Sequence, residues 1–524
     1  MAAYSLLIKG GMVARNKKLE RLDVGIENDK IKALGDLSRL SADLVIDASG
    51  YYVSPGFIDL TSHSDTHWTL FNHPSQESLL AQGVTTILGG NCGSSLAPLV
   101  HARDIEGIQK WVDIREINVN WHRVSEFFEE LSRHPLGLNF ATLVGHGTLR
   151  RGIIGDEARP ATAEEIKQMQ LLLEESLEEG AFGISTSLGA AHGRPADIQE
   201  LTRLHEAVAA HKGLSKHHLK DEGKNILPAI AELLGLARAS GARTQFSHFK
   251  ILGRSSWPFF QDAVRLMESG REEGLELSLD IFPFTRTGSQ LYQLLPVWAV
   301  ESGKEKILGV LKDQKQRNEV FSYLKGLTLH YDRITIASTL QDQIAVGKTI
   351  QELSLAASLP PEEIILKLLE NNKLKVSIFN EVISEEHLFE LIKKEYASVA
   401  SDGVGYARDV RTLFDLPHPR SYSAFPHALE IFTKERSLVS WPEILHKMTE
   451  LPAQILGLKD RGRLEKDCFA DLVVLNPEEI EGAADWRNPY LPPRGVEMVF
   501  VNGKIALDRG NFTNIFAGRV LRKT

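Results

Sequence analysis

Residues 83–98 read GVTTILGGNCGSSLAP, and this stretch sets a pattern that the rest of the chain repeats. The apolar run VTTIL (84–88) has the length and the β-branched content of a buried strand, and Cys92 follows it in a loop of small residues. His218 ends a similar run, GLSKHH, and His248 ends RTQFSH. Asp402 directly follows ASVAS. Polar side chains at the ends of successive apolar runs indicate parallel strands that carry a site at their carboxyl ends.

Eight runs of this kind predict eight strands. They are GFIDLT (56–61), VTTIL (84–88), FATLVG (140–145), FGIST (182–186), GLSKHH (213–218), RTQFSH (243–248), ELSLDI (276–281) and ASVAS (397–401). Amphipathic stretches such as EEIKQMQLLLEESLEEG (164–180) separate most of them, with helical periodicity and a terminating glycine. The alternation predicts an α/β fold, a (β/α)8 TIM-like barrel over residues 55–455.

The two ends of the chain lack this alternation of strands and helices. Residues 1–54 and 456–524 contain short alternating strands, such as DVGIENDKIKALG near the start and GVEMVFVNGKIAL near the end. We expect these two segments to pair into one small β-sandwich domain. More than a hundred residues separate strands seven and eight, too many for a structureless loop. They predict an inserted subdomain at about residues 285–395.

Composition excludes several classes of function. The 524 residues are 43% apolar and 25% charged, with a net charge of −9, which disfavours binding to nucleic acid or to an anionic membrane. The two cysteines, Cys92 and Cys468, cannot form a disulfide framework, and no apolar run is long enough to span a bilayer. We therefore predict a cytoplasmic enzyme without nucleic-acid or membrane partners. The sequence does not define an oligomeric state.

The four strand-end residues suit metal chemistry. A thiolate and two imidazoles are good zinc ligands, and three protein ligands leave the fourth tetrahedral position open, as in catalytic sites. Each residue taken alone also has an ordinary structural explanation, as a buried thiol, a structural histidine or a turn aspartate. His217 and His218 are neighbours, so only one of them can face the barrel centre.

Nine sequence blocks occur in an order that resembles a known family. They are SPGFIDLTSHSD, GVTTILGGNCGSSLAP, LVGHGTLR, GAFGISTSL, HLKDEG, FSHFK, ASDG, HPRSYSAFP and GRVLR. Together they resemble the N-acyl-D-amino-acid deacylases (D-aminoacylases) of the amidohydrolase superfamily. The similarity extends from the N-terminal strands to residue 522.

The resemblance implies a set of metal ligands. Cys92 would replace the carboxylated lysine of many related barrels, and the HLKDEG block selects His218 to act with His248. The superfamily usually has two histidines after its first strand. Here His63 matches the second, but Thr61 replaces the first. We therefore expect one tightly bound Zn²⁺, with a second site near His63 that is weak or absent.

The resemblance also implies catalytic and substrate-binding residues. Asp402 matches the family's catalytic aspartate and would act as general base, and His146, at the end of the third strand, is a candidate oxyanion donor. Arg420 would hold a substrate carboxylate. Phe284 stands where the family often has a tyrosine of the same clamp. The substrate-binding candidates also include Lys250 and Arg286, which would meet an acidic substrate side chain or be paired structurally.

The expected reaction is hydrolysis of an N-acyl-D-amino acid, a small-molecule substrate, to a carboxylate and a free D-amino acid. Two alternatives stay open at this point. One is a cyclic-amide hydrolase of the hydantoinase or dihydropyrimidinase type. The other is a catalytically degenerate barrel that serves as a scaffold, because Thr61 departs from the superfamily pattern. Acyl group, side chain and D-over-L preference depend on pocket shape, which residue spacing does not reveal.

Overall fold

The computed structural model describes residues 4–108, 119–155, 157–190, 192–300, 304–327, 329–408, 410 and 415–524. The strands are β1 Tyr4–Arg15, β2 Lys18–Glu27, β3 Lys30–Gly35, β4 Ala42–Asp47, β5 Tyr52–Pro55, β6 Phe57–Asp59, β7 Val84–Gly89, β8 Asn139–Thr142, β9 Val144–Gly145, β10 Gly183–Ser187, β11 Leu214–His218, β12 Arg243–Phe246, β13 Leu277–Ile281, β14 Arg286–Gln290, β15 Ile334–Thr339, β16 Val376–Glu381, β17 Ala397–Val399, β18 Leu472–Leu475, β19 Val496–Val501, β20 Lys504–Asp508 and β21 Asn511–Phe512. The α-helices are α1 Thr69–Asn72, α2 Glu77–Leu80, α3 Val124–Arg133, α4 His146–Ile154, α5 Ala163–Glu178, α6 Ile198–Ala210, α7 Ile226–Ser240, α8 Phe260–Glu272, α9 Val297–Val300, α10 Lys304–Lys312, α11 Gln314–Gly326, α12 Ile350–Ala357, α13 Pro361–Asn371, α14 Glu385–Leu391, α15 Arg420–Leu429, α16 Trp441–Met448 and α17 Glu450–Leu456.

Parallel strands form the centre of the molecule in two arcs. One arc has the order β6-β7-β8 and the other has the order β9-β10-β11-β12-β13-β17, and all of these pairs are parallel. A parallel bridge between Ser62 and Gly403 links the first arc to the segment after β17. Each of the eight predicted strands overlaps an observed one, and β8 and β9 are the two halves of the third.

Helices between these strands form as their sequence patterns predict. At the start of α5, the Thr162 hydroxyl accepts a hydrogen bond from the Glu165 amide, and the Glu165 carboxylate accepts one from the Thr162 backbone amide. The buried residues Ile166, Met169 and Leu173 recur on one face of the helix. Together with residues of the parallel strands they join the largest hydrophobic core, so the helices cover the strands and hold them in place.

The two chain ends share one nine-stranded mixed sheet. Its order is β21-β20-β19-β18-β5-β1-β2-β3, with β4 added to β1 in parallel. The C-terminal strand β18 pairs antiparallel with β5, immediately before the first strand of the parallel arcs. The structure therefore gives a single sheet made from both ends, and the two-layer sandwich stays a prediction.

The long segment between β13 and β17 has its own sheet and its own core. Strands β14, β16 and β15 pair antiparallel, and a hydrophobic cluster that includes Leu291, Ile336 and Ile365 lies beside them. In the part of the chain that the structure describes, we find no helix that is both long enough and apolar enough to cross a bilayer.

Candidate metal centre

The strand ends bring four polar residues to one edge of the parallel arcs. Cys92 follows β7, His218 ends β11, His248 lies just past β12, and Asp402 follows β17. Cys92, His248 and Asp402 all have left-handed backbone conformations, with φ of 52°, 35° and 51°. Such conformations cost non-glycine residues on the order of 1–3 kcal/mol each and are concentrated at functional sites.

The loop around Cys92 requires glycine for a steric reason. Gly90 has a φ of 70°, and a Cβ atom there would lie 2.0 Å from the carbonyl oxygen of Leu143. The small residues noted in the sequence therefore allow the Cys92 loop to pack against the neighbouring strand, and this packing fixes the position of the thiol.

Cys92, His218 and His248 form a compact donor set. The Cys92 Sγ lies 3.7 Å from His218 Nδ1 and 3.3 Å from His248 Nε2, and all three ligand atoms are within 4.8 Å of one another. A tetrahedral zinc ion with ordinary bond lengths separates its sulfur and nitrogen ligands by about 3.6 Å. The donor chemistry and the spacing therefore both fit zinc.

The electrostatics of this set favour a thiolate. Burial alone would raise the pKa of the Cys92 thiol. The charge of His248 and hydrogen bonds from His218, His248 and His63 outweigh burial and hold that pKa well below its usual range. A thiolate is the form of cysteine that binds metal ions.

Glu222 lies behind both imidazoles. Its carboxylate is 3.4 Å from His248 Nδ1 and 3.8 Å from His218 Nε2, the ring nitrogens that face away from Cys92. Lys250 donates to the same carboxylate at 2.6 Å and lies 2.9 Å from His248 Nδ1. Burial raises the pKa of Glu222, but Lys250 and the two histidines lower that pKa by more than burial raises it, so the carboxylate is ionised. Lys250, a candidate substrate-binding residue, is thus buried in an ion pair beside the ligands.

Asp402 lies between two basic side chains. His63 Nε2 is 3.1 Å from Asp402 Oδ1, and Arg420 Nη1 is 2.7 Å from Oδ2. Burial raises the pKa of Asp402, but the charges of Arg420 and His248 and the hydrogen bond from His63 hold it well below its usual range. Although burial acts in the opposite direction, hydrogen bonds to Asp402 and Cys92 raise the pKa of His63 to about 10. His63 therefore connects the thiolate and the carboxylate.

A buried lysine that the sequence did not point to completes the site. Lys216 lies on the same strand as His218, two residues earlier, and its side chain is fully buried. Its Nζ donates to Thr61 Oγ1 at 2.5 Å and to the Leu60 carbonyl, and it lies 3.1 Å from Asp280 Oδ2. Asp280 in turn accepts hydrogen bonds from the Thr61 hydroxyl at 2.8 Å and from the His248 amide at 2.5 Å. The one signal in the sequence was a lysine inside an otherwise buried strand.

Three candidate residues lie elsewhere. His146 begins α4, and its Nε2 is 2.7 Å from the carboxylate of Glu200 in α6, where both side chains are fully buried. The electrostatic neighbours of His146 include His205 and His217, on the side of β11 away from His218. The structure thus places His146 in a buried pair with Glu200, and its role as oxyanion donor stays a prediction.

The other two candidates lie on the insertion side of the site. Arg286 pairs with Glu381 at 3.2 Å and stacks on Trp486 at 4.7 Å, so it is paired structurally. Phe284 stacks on His427 at 4.9 Å. The Phe282 ring, by contrast, lies 5.0 Å from the Arg420 guanidinium and 5.9 Å from Lys250 Nζ. Phe282 therefore lies next to the Arg420 guanidinium, and the role of Phe284 stays a prediction.

The donor set, the ionised carboxylate beside it and the parallel strands are together typical of a metal-dependent hydrolase. The sequence profile of the amidohydrolase family matches residues 44–270 and 412–507, which include His63, all three residues of the donor set and Arg420. The chain belongs to this family, and it is a hydrolase of carbon–nitrogen bonds.

Relatives agree with the resemblance seen in the sequence and confirm it. A D-aminoacylase of Alcaligenes xylosoxydans xylosoxydans is 29% identical over 99% of this chain and 98% of its own length. A D-aminoacylase structure, described for its binuclear metal centre with one-metal activation and second-metal attenuation, is 28% identical with a TM-score of 0.82, over 99% of this chain and 100% of its own. An N-acyl-D-glutamate deacylase from Bordetella bronchiseptica, complexed with zinc and a phosphonate mimic of the tetrahedral intermediate, is 26% identical with a TM-score of 0.82, over 99% of both chains. An L-hydantoinase from Arthrobacter aurescens, 14% identical with a TM-score of 0.60 over 99% of this chain and 100% of its own, shares the fold alone.

Proposed function

We propose that this protein hydrolyses the amide bond of N-acyl-D-amino acids, with one zinc ion held by Cys92, His218 and His248. The observation that carries the proposal is the convergence of these three ligand atoms next to an ionised aspartate. The full-length similarity to D-aminoacylase supports the substrate class. When bound, zinc supplies a Lewis acid that polarises the substrate carbonyl.

Asp402 is the general base in this proposal. It is ionised, so it can accept a proton from the attacking water and later deliver that proton to the leaving nitrogen. His63 and Arg420 hold its two oxygens and thereby orient the carboxylate. The products are a carboxylate and a free D-amino acid.

Arg420 is the proposed contact for the carboxylate of the substrate. Its Nη1 is engaged by Asp402, but its Nε is buried and has no hydrogen-bond partner among the described residues. A buried donor without a partner costs about 1–3 kcal/mol, which a bound carboxylate would relieve. The aromatic face of Phe282 holds the guanidinium from one side.

The fold proposal goes with the functional one. We infer that the two arcs of parallel strands close into an eight-stranded barrel over residues 55–455, with an inserted subdomain at about 285–395 and an end domain of residues 1–54 and 456–524. The bridge between Ser62 and Gly403 supports closure between the first and the last strand. The site would then lie at the carboxyl end of the barrel, where such enzymes act.

One set of assays tests the function. Purified protein is incubated with N-acetyl-D-amino acids that have acidic and apolar side chains, with their L-forms, and with a hydantoin, and the released amine and opened ring are measured. Release of amine from D-substrates supports the proposal, whereas ring opening without acyl release supports the cyclic-amide alternative.

The Asp402→Asn variant tests the base. We expect turnover to fall by about 10²–10⁴-fold with an unchanged zinc content, because asparagine keeps the shape but cannot accept the proton. A folded, zinc-loaded variant with full activity contradicts the assignment of Asp402.

A further inference from the structure

Three of the carboxylates around the donor set have basic partners. Glu222 pairs with Lys250 at 2.6 Å, Asp402 with Arg420 at 2.7 Å, and Asp280 with Lys216 at 3.1 Å. Cys92, by contrast, is contacted by imidazoles. Cys92 is therefore the anionic member of the donor set.

Lys216 is the least expected of these partners. Lysine is almost never fully buried unless it is paired, and Lys216 and Asp280 are both fully buried. The pair is connected to the donor set, because Asp280 also accepts the backbone amide of His248. The ammonium is therefore a built-in cation beside the metal centre.

The position of this cation is specific. Lys216 Nζ donates to the hydroxyl of Thr61, the residue that stands where the resemblance implies a histidine ligand of a second metal ion. His63 and Asp402, the other residues on that side, are bonded to each other at 3.1 Å. A threonine hydroxyl that already contacts an ammonium group and a carboxylate has little capacity left for a metal ion.

We propose that the Lys216 ammonium takes the place of a second metal ion, so that the centre binds one ion on Cys92, His218 and His248 and excludes another beside His63. This inference rests on the proposed function only for the identity of the first ion. Repulsion between a second divalent ion and the ammonium would be poorly screened, because the ammonium is buried.

Metal stoichiometry of the unmodified protein is the first test. The metal-free protein is titrated with Co²⁺ and followed by its visible absorption, and in parallel it is dialysed to equilibrium against excess Zn²⁺ before the metal is measured by emission spectroscopy. We expect saturation at one equivalent in both. Saturation at two equivalents overturns the proposal, and so does the absence of binding.

Two variants identify the residue responsible. Thr61→His supplies the missing imidazole but keeps the ammonium, so we expect it to stay at one equivalent. Thr61→His combined with Lys216→Met removes the ammonium with a side chain of similar length, and we expect it to bind a second equivalent. A second equivalent in Thr61→His alone, or none gained in the folded double variant, overturns the role of Lys216.

The loss of Lys216 leaves Asp280 without its cation, so folding must be checked by thermal unfolding. Where the double variant does not unfold cooperatively, the addition of Asp280→Asn removes the unpaired charge, and the same gain of one equivalent is expected. Because these tests measure metal content and not activity, they separate the proposed role of Lys216 from the proposed hydrolytic function. A protein that does not hydrolyse N-acyl-D-amino acids, but whose unmodified form binds one equivalent and whose double variant binds two, refutes the function and supports the role of Lys216.

Discussion

Removal of the charge on Glu222 should weaken metal binding without removing any ligand. In the structure the Glu222 carboxylate faces His248 Nδ1 at 3.4 Å and His218 Nε2 at 3.8 Å, while the opposite nitrogen of each ring faces Cys92. A carboxylate in that position fixes the tautomer and orientation of a ligand and raises its basicity. Glu222→Gln keeps the shape and one acceptor oxygen but loses the charge.

The magnitude follows from these contacts. Loss of a carboxylate partner of a ligand histidine typically costs 10–100-fold in metal affinity. Glu222 serves two ligands, and glutamine can still accept one hydrogen bond, so we expect a loss of about 30-fold, or about 2 kcal/mol. Lys250 would keep a neutral acceptor, which limits the effect on folding.

The assay is a competition titration of the metal-free protein against a chromophoric zinc chelator. Asp221→Asn is the matched control, because Asp221 is the preceding acidic residue but its carboxylate accepts hydrogen bonds from the amides of Gly223 and Asn225, at 2.7 and 3.2 Å. We expect the control to bind zinc as the native protein does. Equal zinc affinity in Glu222→Gln and Asp221→Asn, with both proteins folded, would refute the reasoning.

Three further predictions concern the core and the substrate. His146→Gln should leave kcat/KM unchanged but lower the free energy of unfolding by about 2 kcal/mol, because His146 is hydrogen-bonded to the buried carboxylate of Glu200. A loss of activity at unchanged stability would instead support the catalytic role of His146. Arg420→Lys should raise KM about tenfold at constant zinc content, because lysine lacks the guanidinium fork, and an unchanged KM argues against a substrate contact. Burial lowers the pKa of Lys447 to about 8 in the folded protein, whereas an unfolded lysine has a pKa of about 10.4. Between these two pH values the unfolded state binds more protons than the folded state, so the free energy of unfolding rises with pH. We therefore expect Lys447→Met to be more stable than the native protein, with a difference in the free energy of urea unfolding that is largest at neutral pH and shrinks as the pH rises. A difference that does not change with pH contradicts a buried charge at Lys447.

Much of the fold could be predicted because periodicity and strand ends are local properties of a sequence. An apolar run followed by a polar or small residue predicts both a strand and the edge at which it ends. That rule made Cys92, His218, His248 and Asp402 candidates, and the family resemblance then selected them, His218 in preference to His217. The structure brings the ligand atoms of the first three within 4.8 Å of one another. The same rule is silent on which residues of neighbouring strands face each other.

The sequence is least informative where the direction of a side chain matters more than its position in the chain. His146 follows a strand directly, but it is also the first residue of α4, and the turn of the helix carries its ring to Glu200. Lys216 and Asp280 belong to strands that are separated in the sheet by β12, so their ion pair depends on side chains that cross the interior. Sequence spacing within one strand contains no information about such a pair.

The pairing of β5 with β18 has a consequence for synthesis. The N-terminal strands leave the ribosome first, but β18, the partner of β5 on the edge away from β1, is encoded more than four hundred residues later. Until then β5 has an open edge that can pair with other chains, and contacts of such long separation form slowly. Nascent or C-terminally truncated chains should therefore depend on chaperones and tend to aggregate, even though every residue of the proposed metal centre has already been translated.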